Sequence, residues 1–217
     1  MSPEIVSKLI QATNETLFMT AAASTIAAVI GIPLGITLAA TGKKGYMRRR
    51  TLYGALEAIV NAARSVPFII LLVAVIPFTR LITGTAIGTA AAIVPLSIAA
   101  IPFCARVVET SILDVDKGLI DAVLSMGASR FQVIRKVLVP EAIGGILSGL
   151  TLMVINLIGY SAMAGAIGGG GLGDLAIRYG YQRFETDVMV ITVVVLIVMV
   201  QAVQAAGAKL SHIVTHR

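Results

Sequence analysis

Charge is scarce in these 217 residues: Asp, Glu, Lys and Arg make up 13% of the chain, against 57% apolar side chains and a mean hydropathy of +0.94. A soluble domain carries roughly a quarter charged residues, so a soluble fold is excluded and the chain belongs in lipid. Cysteine is nearly absent. Cys104 alone excludes an internal disulfide framework and a cysteine-rich metal site, and two histidines near the C-terminus offer no zinc centre. Nowhere does Gly-x-x-x-x-Gly-Lys-Ser/Thr occur, so no loop cradles a nucleotide phosphate and the chain does not hydrolyse ATP itself.

What charge there is falls unevenly. It leaves uncharged runs at 16–42, 65–79, 81–105, 142–173 and 188–208. Four of them exceed the roughly 20 residues an α-helix needs to cross about 30 Å of hydrocarbon. The run 65–79 is too short alone and is completed by starting the helix near Leu56, with Glu57, Asn61 and Arg64 in headgroup-side turns or against protein. In the last run, the β-branched stretch Val190 to Val198 would read as a buried strand in water. In lipid a lone strand leaves its amides unpaired, so a helix is expected. The expected fold is all-α and integral to the membrane, with five spans at about 17–41, 56–79, 84–105, 142–163 and 188–208.

Five crossings put the termini on opposite sides, and the basic residues choose which. Lys43, Lys44, Arg48, Arg49, Arg50, Arg64, Arg106, Lys117, Arg130, Arg135, Lys136, Lys209 and Arg217 fall on one side; Lys8, Arg80, Arg178 and Arg183 fall on the other. Loops rich in Lys and Arg stay in the cytoplasm, so the N-terminus is expected outside and the C-terminus inside. The chain then divides into an external tail (1–15), a transmembrane domain (16–208) with a cytoplasmic loop at 106–141, and a cytoplasmic tail (209–217). The first span is not a secretory signal: it lacks a basic leader, exceeds a signal core in length, and precedes the basic cluster at 43–50 that halts transfer. That cluster reads as a topology determinant beside anionic headgroups rather than a nucleic-acid patch.

Glycines recur at four-residue spacing: Gly31 and Gly35, Gly84 and Gly88, Gly145 and Gly149, Gly165 and Gly169. Such pairs let helix backbones approach closely in lipid and predict a tight bundle. Pro33, Pro67, Pro77, Pro95 and Pro102 lie inside or at the ends of spans, where each removes a backbone donor and tends to bend a helix.

Residues 106–141 are too apolar for a free loop. Leu119, Ile120, Val123 and Leu124 fall at helical spacing, Gly127 supplies a left-handed stop, and Ser129 with Gln132 forms a capping box for a second helix. Along that helix Phe131, Ile134, Val137 and Leu138 share a face, and Pro140 closes it before the fourth span. A cytoplasmic helix–turn–helix is expected.

The order Asp121-Ala122-Val123, three residues, Gly127, nine residues, Val137-Leu138-Val139-Pro140 resembles a loop signature of type I importer permeases of the ATP-binding-cassette class. Their pattern is Glu-Ala-Ala, three residues, Gly, nine residues, Ile-x-Leu-Pro. Ala122, Gly127 and Pro140 match by identity, Asp121, Val137 and Val139 by type, and Val123 stands where the pattern has a second alanine. The segments Arg64 to Leu72, Ile76 to Arg80, and Gly159 to Met163 with the glycine run 168–173 resemble the methionine-importing branch, so the likeness covers nearly the whole chain.

The resemblance implies a bacterial inner-membrane permease that works as a homodimer with its pathway at the interface. It further implies two cytoplasmic ATPase subunits, which bind ATP and Mg, and an external methionine-binding protein; this chain itself would need no cofactor. In the family the helix before the conserved glycine docks in a cleft of the ATPase. By that likeness Asp121 contacts the ATPase or fixes the loop, Ala122 forms a close helix contact, Val123 stands beside it in the ATPase-coupling segment, Gly127 makes the turn, Phe131 packs it, and Pro140 ends the motif. A hairpin merely lying on the membrane would explain the apolar stripe but not the spacing.

Other motifs imitate chemistry. Residues 168–173 satisfy Gly-x-Gly-x-x-Gly, but a dinucleotide site needs a preceding strand, and here a span precedes. Gly171-Leu172-Gly173-Asp174 fits the Gly-x-Gly-Asp pattern of intramembrane aspartyl proteases, which require a second aspartate in an adjacent span; no uncharged run holds one. The glycines are expected to form a flexible outer loop or a re-entrant turn, where a binding protein could dock. Asn61, Tyr160 and Met163 are candidates to line a pathway, with helix bridging the alternative for Asn61 and Asn156. A self-contained carrier or channel is the competing reading, disfavoured because the uncharged runs hold no ion-coupling carboxylate.

Overall fold

The computed structural model describes residues 3–42 and 49–215; Lys43, Lys44, Arg48 and Arg217 of the topology argument lie outside the described residues. In chain order the helices are α1 (Pro3–Thr41), α2 (Arg50–Ser65), α3 (Phe68–Ala74), α4 (Ile76–Thr83), α5 (Thr89–Leu113), α6 (Lys117–Ser125), α7 (Arg130–Val133), α8 (Val139–Ala164), α9 (Gly171–Leu175) and α10 (Thr186–Thr215). Among the described residues four helical stretches are long and apolar enough to cross a membrane: α1, α5, the stretch Arg130–Gly169 that contains α8, and α10. A fifth crossing exists if α2 and α3 are taken together.

That pair corrects the expectation of one helix over 56–79. The axes of α2 and α3 meet at 102°. The ring of Pro67 crowds the residue before it out of the helical region, and Val66 is extended at φ −84°, ψ 123°. Proline also has no N–H to return to the preceding turn. A second break at Val75 starts α4, with Pro77 in its first turn where the missing donor costs nothing.

Other boundaries move outward from the uncharged runs. The first helix begins at Pro3 and the last continues to Thr215, so most of both expected tails is helical. The third span is Thr89–Leu113 rather than 84–105, because Gly84 and Gly88 form the turn before it. Among the described residues nothing lies within 4 Å of a Cβ at either glycine, so these two are not a helix-packing pair.

The core centres on α5, which packs most extensively against α1 and then α8. From α1, Ala23, Ala27, Gly31 and Gly35 present one stripe of small buried residues. A Cβ on Gly31 would lie 2.6 Å from that of Cys104, and one on Gly35 2.6 Å from that of Val108. On the other flank Gly145 and Gly149 of α8 sit against Ser111 and Val107, and Gly207 of α10 sits against Thr151. Backbones that approach this closely gain dispersion contacts that lipid tails do not match. Val29 and Ile30 of α1 and Val193, Val194, Ile197 and Val198 of α10 face outward, as hydrocarbon-facing surfaces should.

The two ends of the bundle gather different elements. At one end the Gly88 amide donates to the Gly168 carbonyl at 2.8 Å, joining the start of α5 to the turn after α8. At the other, the Ser211 hydroxyl of α10 donates to the Gly144 carbonyl of α8 at 3.0 Å, and Tyr53 of α2 donates to Glu109 near the end of α5 at 3.3 Å. The α6–α7 hairpin belongs to this second end.

Candidate functional site: an exposed helical hairpin and a cavity within the bundle

Asp116 opens α6 by accepting from the amides of Gly118 at 2.6 Å and Leu119 at 3.3 Å. Gly127 ends it at φ +84°, a conformation costly for any residue with a Cβ. Its amide donates to the Leu124 carbonyl at 2.9 Å and that of Ala128 to the Val123 carbonyl at 3.3 Å, the bond pair of a Schellman turn. Ser129 and Gln132 then form a reciprocal capping box at 2.7 and 3.3 Å. Stops and starts therefore fix the angle between the two helices through local hydrogen bonds.

Two expectations about this hairpin need correction. Pro140 does not close α7. A wide π-type turn over Ile134–Leu138, in which the Val139 amide donates to the Ile134 carbonyl, absorbs the missing proline N–H, and the helix continues into α8. The chain is thus helical without a break from Arg130 to Ala164. Nor does Phe131 pack the turn: it is 68% exposed, while Val133 and Leu138 are buried. The capping box sets the rotation of α7 so that Val133 faces the core, and Val123, Ala128 and Val133 fill the turn. Asp121, Ala122 and Gly127 are exposed, as are the large apolar side chains Leu119, Leu124, Met126 and Phe131.

Behind the hairpin lies a polar network that the sequence reading missed. Arg106 donates to Glu109 at 2.6 Å and to the side-chain oxygen of Asn61 at 2.6 Å. The Tyr53 hydroxyl reaches Glu57 at 3.0 Å as well as Glu109. Asn61 therefore bridges α2 to α5. The signal available was Arg106 and Glu109 one helical turn apart just past an uncharged run, visible only once α5 is extended to Leu113.

Deeper in the bundle, the break between α2 and α3 opens a cavity of about 260 Å³ against α5 and α8. Arg64, Phe68, Phe103, Met153, Asn156 and Tyr160 line it with small residues of α5. The Phe68 and Tyr160 rings stack with centroids 4.5 Å apart and planes within 6°. Of the three pathway candidates, Tyr160 reaches this cavity; Asn61 and Met163 do not, and Met163 is about half exposed.

At the opposite end the glycine-rich segment is tucked in. The turn after α8 leaves helical geometry at Ile167 and Gly168, and Gly171, Leu172, Gly173 and Leu175 of α9 are buried. The Gly171 amide donates to Glu15 at 2.8 Å and the Leu172 amide to the Thr16 hydroxyl at 2.9 Å. Of the two expectations, flexible loop or re-entrant turn, the flexible loop is overturned. A Cβ on Gly165 would meet the Asp174 amide, and one on Gly173 the Ala162 carbonyl, so close packing demands glycine there. Asp174 accepts from Arg178 at 2.8 Å. Beside this turn a second depression carries Lys8, Gln11, Glu15 and Arg178 on its rim, and Tyr179 lies under the Lys8 ammonium at 4.9 Å and the Arg183 guanidinium at 4.4 Å.

Residues 31–208 match the family described as binding-protein-dependent transport system inner membrane component. A probable D-methionine transport system permease protein MetI of Vibrio cholerae serotype O1 is 53% identical over 209 residues, covering 96% of this chain and 93% of that one. The corresponding probable protein of Pasteurella multocida is 46% identical over the full length of both. Among solved structures, one showing inward-facing conformations of the MetNI methionine ABC transporter superposes with a TM-score of 0.96 at 46% identity, over 99% of this chain and 100% of the other. An amino acid ABC transporter crystallised with histidines shares the fold at a TM-score of 0.77 and 22% identity.

Proposed function

Since this chain belongs to the family of binding-protein-dependent transport system inner membrane components, we propose that it is the permease subunit of an ATP-driven methionine importer. It is a multi-pass protein of the bacterial inner membrane and contributes no ATPase chemistry. Two copies form the pathway between them, two cytoplasmic ATPase subunits drive it with ATP and Mg, and an external methionine-binding protein delivers substrate at the end where α1 begins.

One observation carries this reading. The α6–α7 hairpin presents Leu119, Leu124, Met126 and Phe131 to solvent from a turn locked by a Schellman motif and a capping box, and its second helix is continuous with a membrane-crossing rod. An apolar face on a rigid cytoplasmic projection is what a partner protein covers. Asp121 and Ala122 lie on that exposed surface, Val123 anchors it inward, Gly127 fixes its angle, Phe131 faces the ATPase, and Pro140 rides within the rod. Motion of the ATPases is thereby passed to the spans. Tyr160 lines the route at mid-depth, Met163 is available to it on the outer part of α8, and Asn61 serves as a helix bridge.

The test is reconstitution. Liposomes containing this chain with its cognate ATPase, supplied with the binding protein outside and ATP at the ATPase face, should accumulate radiolabelled methionine, and a non-hydrolysable nucleotide should abolish accumulation. Equal uptake by the chain without ATPase would overturn the proposal in favour of a self-contained carrier, and absence of uptake by a correctly assembled complex would remove the substrate assignment.

A further inference from the structure

Two polar side chains, Arg64 of α2 and Asn156 of α8, line the cavity from different helices. Both are exposed in the single chain, and among the described residues no hydrogen bond or ion pair engages the Arg64 guanidinium or the Asn156 amide. Both line one cavity with Ala99, Ala100 and Phe103, which occupy the middle of α5, about 15–20 Å from its Leu113 end at 1.5 Å per residue. A guanidinium at such depth is costly to hold and persists where it faces a water-filled path or an anion. Among the described residues no carboxylate lines the cavity to neutralise it.

From this geometry we infer that the cavity is a substrate site within the spans, taking one free amino acid with an unbranched apolar side chain; the inference rests on the reading of the chain as a methionine permease. Arg64 receives the α-carboxylate, for which the planar guanidinium fork is suited. The Asn156 amide supplies both a donor and an acceptor beside it. The α-ammonium meets neutral acceptors only: the Asn156 oxygen and the carbonyls of the last turn of α2, which ends at Ser65 without a helical continuation. Phe68, Phe103 and Met153 enclose the remainder of the cavity, a polarizable wall to which a thioether is matched. About 260 Å³ is room for several waters, or for a small amino acid in their place. The broken second span is thus what creates the site: a straight helix over 56–79 would leave no notch for Arg64 to enter from the side.

The experiment labels the purified permease–ATPase assembly, without binding protein, with a diazirine analogue of methionine and maps the adducts by mass spectrometry. Labelling should fall on cavity residues such as Phe103 or Met153, be suppressed by excess methionine, and persist in methioninol, which lacks the carboxylate. Arg64→Gln should lower both labelling and uptake by at least about tenfold, the loss expected for one charge-assisted contact, with Arg64→Lys intermediate. If Arg64→Gln does not assemble, Asn156→Ala is read the same way, with a severalfold loss expected. Equal competition by methioninol, or wild-type labelling and uptake in an assembled variant, would overturn the site while leaving the transport reading intact. Failure of the wild-type complex to import methionine would instead remove the transport reading, and labelling of the cavity would still report on the site.

Discussion

Arg106 and Glu109, one turn apart on α5, form an ion pair of 2.6 Å in which the carboxylate is only 2% exposed, and the same guanidinium holds Asn61 of α2. A buried charge left without its partner is costly, by about 3–5 kcal/mol where such pairs have been broken. Arg106→Met should therefore destabilise the protein in detergent far more than Asn61→Ala, which leaves the ion pair whole. Thermal unfolding of the two variants checks the order; equal losses would mean that the α2–α5 bridge, rather than the ion pair, supplies the stability.

The stripe on α1 predicts a contrast between glycines. Gly35→Val would overlap Val108 and the Ala105 carbonyl, forcing α1 off α5 with loss of the folded protein during purification. Gly54, in α2, has nothing among the described residues within 4 Å of its Cβ position, and Gly54→Ala should be neutral or stabilising by about 0.5–1 kcal/mol through helix propensity. Size-exclusion profiles and melting temperatures separate the two outcomes.

Thr16 accepts the Leu172 amide in a buried setting. Thr16→Val keeps the shape but removes the acceptor, leaving that N–H unpaired at a cost of about 1–3 kcal/mol, whereas Thr16→Ser retains the bond. Hydrogen exchange at Leu172 should accelerate by roughly an order of magnitude or more in the valine variant alone. Unchanged exchange would show that α9 is held by its buried leucines rather than by α1.

Met126 and Phe131 are 78% and 68% exposed, so Met126→Ser and Phe131→Ser should leave the melting temperature of the free permease within about 1–2 °C, because little is packed against either side chain. If the hairpin docks the ATPase, each should weaken association by about 1–3 kcal/mol. Titration of labelled ATPase onto detergent-solubilised permease measures this.

Gly127 tests rigidity rather than contact. Among the described residues no neighbour lies within 4 Å of its Cβ position, and it is φ +84° that disfavours a side chain there. Gly127→Val should cost more than Gly127→Asn, since asparagine tolerates the left-handed region. Methionine uptake per ATP hydrolysed should fall in the same order.

Much of this was legible in the sequence because it is local. Gly127, the Ser129–Gln132 box and four of the spans rest on patterns a few residues long. Pro67 announced the break in the second span, yet the apolar run across it hid the consequence, and only the extended Val66 shows how far the chain turns. Pro140 misled in the opposite direction, since a wide turn just before it let the helix pass. Glu109 with Tyr53, and Glu15 with Gly171, pair residues far apart in sequence, and no window along the chain reveals such partners. The cavity required the bend of α2, the middle of α5 and the middle of α8 to be known together.

From Arg130 to Ala164, before helical geometry is lost at Ile167, the stretch measures about 50 Å at 1.5 Å per residue. Held against α5 at Gly145 and Gly149 near its centre, such a beam would turn as a seesaw if a partner pushed its Arg130 tip, so that widening at one end of the bundle would bring narrowing at the other.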